Sequence, residues 1–81
     1  MVMRTAQRPG RFTFGVTFVS APPEVRERLV AQLERVGCRL EWSSADVFRI
    51  DAHREPLAQQ VLALLMHVEA MGHLVFETRW T

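Results

Sequence analysis
The side chains of this chain that could bind a soft metal ion or carry a proton near neutral pH are Cys38, His53, His67 and His73. No two of them have the close spacing of a zinc knuckle, nor the i,i+4 spacing that puts two histidines on one helix face. No metal site is therefore expected. The hydroxyl candidates Ser20, Ser43 and Ser44 fall in turn-forming stretches, and no glycine-flanked elbow or Ser-His-acid set can be assembled from the sequence. Ser20-Ala21-Pro22-Pro23 places prolines where a phosphate cradle needs backbone N–H donors. Neither a catalytic residue nor a cofactor is expected from these groups.

The elements that must position these residues can be read from periodicity. Phe12, Phe14, Val16 and Phe18 alternate with Thr13, Gly15, Thr17 and Val19, the period of a strand buried on one face. Pro22 and Pro23 break that strand and suit a first helical turn, and Glu24 and Glu27 complement the positive end of the helix dipole. Val25, Leu29, Leu33 and Val36 form the apolar stripe of a helix ending near Gly37, and Glu24 and Arg28 are spaced for an i,i+4 ion pair. Cys38, Leu40 and Trp42, then Phe48 and Ile50, give two alternating runs around the polar turn at Ser44 to Asp46, which implies a hairpin. Leu57, Val61, Leu64, Leu65 and Val68 repeat with helical spacing up to a stop at Gly72. Leu74, Phe76 and Trp80 open onto a last strand.

Strand, helix, strand, strand, helix, strand predicts a ferredoxin-like β-α-β-β-α-β sandwich: an α+β fold with a four-stranded antiparallel sheet and two helices on one face. The expected strand order is fourth, first, third, second. Cys38 and His53 then lie at one end of the sheet, with His67 and His73 toward the other. His73 can approach Ser20 and Glu24, because the last strand starts beside the end of the first.

With 81 residues, 48% of them hydrophobic and 23% charged, the chain reads as one domain over residues 12–81, preceded by a flexible tail at 1–11. The tail carries Arg4, Arg8 and Arg11 among Gln, Pro and Gly, so an electrostatic arm for nucleic acid is conceivable there. A formal net charge of +1 provides no strong overall field to support it. All ten basic residues are Arg, a bias that fits a GC-rich bacterial genome, and a single cysteine fits a reducing cytoplasm. The longest apolar stretch, Val61 to Met66, is far short of a membrane span, and Leu62 and Met66 within it widen the stripe of the second helix, where burial under the first helix or the tail is expected and self-association is the alternative.

On this reading the sheet face left open by the helices carries Thr13, Gly15, Thr17, Arg39, Glu41, Val47, Arg49, Asp51, Val75, Glu77 and Arg79. RNA-recognition domains share the topology but stack bases on aromatic residues of the central strands, and this face has none. The first strand–helix junction also lacks the cysteine pair of metallochaperones, the arginine-bearing glycine loop of acylphosphatases and the glycine that admits a ligand in amino-acid-sensing domains. What remains is a small non-enzymatic binding or regulatory module. It would act through Thr13, Gly15, Thr17, Val47, Arg49, Glu77 and Arg79, as a homodimer or with a protein partner. A nucleic-acid-associated protein using Arg4, Arg8 and Arg11 is one alternative, and a small dimeric enzyme with His53 or His73 as base is another.

Overall fold
The computed structural model describes residues 12–80. The tail expected at residues 1–11, with Arg4, Arg8 and Arg11, lies outside the described residues. The elements run β1 (Phe12–Phe18), α1 (Pro23–Arg35), β2 (Arg39–Trp42), β3 (Val47–Ala52), α2 (Glu55–Ala70) and β4 (Leu74–Trp80). All strand pairings are antiparallel and the order across the sheet is β2-β3-β1-β4, the expected order read from the other edge. This is the ferredoxin-like α+β arrangement.

Each helix begins and ends for a local reason. Pro22 is the N-cap of α1 and Pro23 its first residue, and Pro56 lies in the first turn of α2, positions where a missing N–H leaves no helical bond unmade. Gly37 and Gly72 follow the two helices at φ +94° and +84°, the left-handed region that glycine enters without a Cβ penalty. Ser20 also sits there, at φ 58°, where β1 gives way to the turn before α1.

One core joins the helices to one sheet face. Phe14, Val16, Phe18, Phe48, Ile50, Ala52 and Leu74 from the sheet meet Leu29 and Leu33 of α1 and Leu57, Ala58, Val61, Leu65 and Val68 of α2, all buried. Phe12, Leu40 and Phe76 pack at its border. The helices divide the cover between them. One flank of α1 faces Trp42 at the β2 edge, its other flank faces α2, and α2 lies against β3 and β4.

Three expectations need correction. Trp42 is on the predicted face but 47% exposed, because α1 does not reach over the end of the edge strand. Its ring instead lies 4.6 Å from Phe48 and 6.5 Å from Phe18. Met66 is 54% exposed: α1 packs on the opposite flank of α2 and does not bury it, and the tail, the other cover expected for it, lies outside the described residues. Glu24 and Arg28 form no ion pair. The arginine of α1 that forms one is Arg26, whose Nη1 lies 2.7 Å from Asp46 Oδ1 while its guanidinium stacks 4.5 Å from the Phe18 ring centre. Arg26 also donates to the Ala45 carbonyl, so it fastens α1 to the β2–β3 turn.

Candidate functional site
Register alone arranges the open face. Thr13 of β1 stands between Asp51 and Arg79, Gly15 between Arg49 and Glu77, and Thr17 between Val47 and Val75. Strand β2 extends the first two rows with Arg39 beside Asp51 and Glu41 beside Arg49. Across the sheet the rows therefore read Arg-Asp-Thr-Arg, then Glu-Arg-Gly-Glu, then Val-Thr-Val. The charges reverse sign from one row to the next on every strand that carries them, because residues two apart on a strand share a face.

Within this pattern Arg49 is the hub. It donates to Glu41, and its Nε lies 3.8 Å from Asp51 Oδ1, while Thr13 Oγ1 donates to the same Asp51 oxygen at 3.3 Å. Glu77 and Arg79, the charges that β4 adds to the face, form no ion pair among the described residues. The face is thus internally neutralised on the β3 side and carries two free charges of opposite sign on the β4 side.

Gly15 opens this surface. It lies in the middle of a central strand, where glycine weakens a sheet by about 0.5–1 kcal/mol relative to alanine. Its backbone is not in the left-handed region, and a Cβ built there would meet only Glu77 Cγ, at an ordinary 3.6 Å. Neither conformation nor packing calls for glycine at this position. Around it lies a concavity of about 330 Å³, lined by Thr13, Gly15, Val47, Arg49, Glu77 and Arg79 together with Ser43 and Phe48. Of the seven face residues singled out in the sequence, six border this hollow. Thr17 lies on the same face, one row away.

The proton-carrying groups stay apart. His53 borders a hollow with Gly37, Arg39 and Asp51 at the end where Cys38 precedes β2, and His67 lines a groove between the helices with Val25, Arg28, Gln32, Leu64 and Met71. His73 does reach the end of β1, since the Val19 N–H donates to the His73 carbonyl at 2.7 Å, but its side chain shares no hydrogen bond with Ser20 or Glu24. Cys38 is only half-buried, and that burial pushes its thiol above the ordinary value of 9.0, away from the thiolate a nucleophile or a metal needs. No group of three or more His, Cys, Asp and Glu among the described residues could hold a metal ion, and no helix there is long and apolar enough to cross a membrane.

Sequence reasoning passed over Arg26 and Trp42, which build a second half-exposed surface with Glu27, Val30, Ala31 and Glu34 on the α1 flank. The only signal for it was Arg26 directly beside the apolar stripe, opposite a turn that ends in Asp46.

No protein-family model matches the chain, and neither the curated proteins nor the solved structures gave a match. Class is therefore defined by architecture and surface: a ferredoxin-like domain with a mixed-charge open face hollowed at Gly15.

Proposed function
We propose that this chain is a small non-enzymatic binding module that receives a protein partner on the open face of its sheet. The observation that carries the reading is Gly15, a residue that weakens the central strand, is required there by neither conformation nor packing, and lines the hollow between Arg49 and Glu77. Guanidinium and carboxylate groups in alternating rows, with Thr13 and Thr17 hydroxyls and the Val47 and Val75 side chains, suit a protein surface of mixed charge with a small apolar patch. A polyanion is a poor fit, since Glu41, Asp51 and Glu77 interrupt the arginines and, among the described residues, the one aromatic lining the hollow, Phe48, is buried at 1% exposure and offers no ring on which a base could stack. Composition extends the proposal to a bacterial cytoplasmic setting.

The experiment is site-specific photo-crosslinking in the cells that express the protein, with the reactive residue at Thr17 on the open face or at Val30 on the α1 flank. A discrete protein adduct from Thr17, absent from Val30, is the expected result. Adducts from Val30 alone would move the binding surface to the Trp42 flank and overturn the reading.

A further inference from the structure
The two edges of the sheet differ in what covers them. Strand β2 is four residues long and ends at the half-exposed Trp42, whereas β4 runs for seven residues, and no strand among the described residues pairs with its outer side. Hydrogen-bond parity fixes which groups that outer side presents. The Val19 N–H bonds the His73 carbonyl, so in the alternation of an antiparallel ladder the odd residues of β4 bond to β1. Leu74, Phe76, Thr78 and Trp80 therefore turn their backbone N–H and C=O groups outward. A long, regular, unpaired edge of this kind is a template for another strand.

We propose that this edge pairs antiparallel with the same edge of a second copy, with Thr78 on the two-fold axis, to give one continuous eight-stranded sheet. The register follows from charge. With the axis at Thr78, Glu77 stands opposite Arg79 of the second copy, and the symmetry makes that pair twice, using two charges of β4 that form no ion pair among the described residues. Moving the axis to Glu77 sets two carboxylates against each other, and moving it to Phe76 sets Val75 against Glu77. Only the Thr78 register matches opposite charges, and it also lets Phe76, Thr78 and Trp80 all find backbone partners.

The helix layer supports the same seam. On α2, Leu64, His67 and Met71 turn toward α1, so Leu62 and Met66, one turn apart, lie on the opposite flank of a helix that packs against β4. Met66 is 54% exposed, and Leu62 and Phe76 of β4 are only partly buried against the core. A two-fold at Thr78 brings the Leu62–Met66 flanks of two copies toward each other above the joined strands and covers this apolar strip. A two-fold perpendicular to the sheet also keeps both open faces on one side, so the assembly presents two Gly15 hollows on a single surface. This assembly does not depend on the open-face reading: Glu77 and Arg79 belong to both the seam and the hollow, but Thr78 lines only the edge and can be altered without touching the hollow.

Light scattering after size exclusion, over a concentration series of the full chain, tests the proposal. The wild type is expected to run as a dimer. Thr78→Pro removes an outward N–H that the isolated fold leaves unbonded, a position an edge strand tolerates, and is expected to give a folded monomer by circular dichroism. Arg79→Glu, which leaves the strand backbone unchanged, is expected to weaken dimerisation by at least about tenfold, and Glu77→Arg with Arg79→Glu is expected to restore it. Gly15→Leu is expected to leave the mass unchanged. A wild-type monomer throughout the series, as residues 1–11 lying on this edge would produce, overturns the proposal. So does a dimer that ignores both Thr78→Pro and Arg79→Glu.

Discussion

The two faces of this one sheet are built from the same strands and do opposite work. On the helix side, Phe14, Val16, Phe48, Ile50 and Leu74 are all but sealed from solvent and lock both helices down. On the other side, the residues between them carry rows of alternating charge around a gap at Gly15. A strand's period of two lets each face answer to a different demand, packing on one and surface chemistry on the other.

The widest separation between the faces should appear in stability. Phe48→Ala, which empties a ring-sized volume at the centre of the core, is expected to cost about 3–5 kcal/mol in denaturant unfolding. Trp42→Ala is expected to cost less, about 1–2 kcal/mol, because its half-exposed ring loses only the contacts with Phe48 and Phe18. If Trp42→Ala proved as costly as Phe48→Ala, the boundary between core and surface drawn here would be misplaced. On the open face, Arg49→Ala is expected to change stability by less than about 1 kcal/mol, an effect that shrinks further in high salt, since its partners Glu41 and Asp51 stay solvated. The smallest effect belongs to Cys38. Burial raises its thiol in the folded state, so as pH climbs above the unfolded value of 9.0 the unfolded chain loses its proton first and stability falls. Below that pH the contribution is constant. Urea titrations on both sides of that pH should show the decline in the wild type and lose this component in Cys38→Ala.

Much of this division could be read from the residue pattern. Alternation in Phe12 to Phe18 and in Val47 to Asp51 assigned the two faces, and the element order implied the arrangement β2-β3-β1-β4, because a buried apolar set leaves each strand one register to choose. The grouping of Thr13, Gly15, Arg49, Glu77 and Arg79 followed from the same parity. What escaped the pattern depends on how far each helix reaches. Periodicity says which face of a strand or helix is apolar but not where the neighbouring element stops, so it gives Trp42 its face and Met66 its stripe but not the exposure that α1 leaves to both. The anchoring of Arg26 to Asp46 depends on a turn and a helix start that meet only in three dimensions, and no spacing rule along the chain brings them together.

The most direct test of the division between faces is a paired measurement on Gly15→Leu: the thermal midpoint, and the yield of the Thr17 photo-adduct in cells. The predicted result is a folded protein whose midpoint is unchanged or higher, since replacing glycine removes unfolded-chain freedom at a position where a Cβ has room, together with loss of the adduct. An undiminished adduct from a stably folded Gly15→Leu chain would contradict the claim that the hollow at Gly15 is the binding surface.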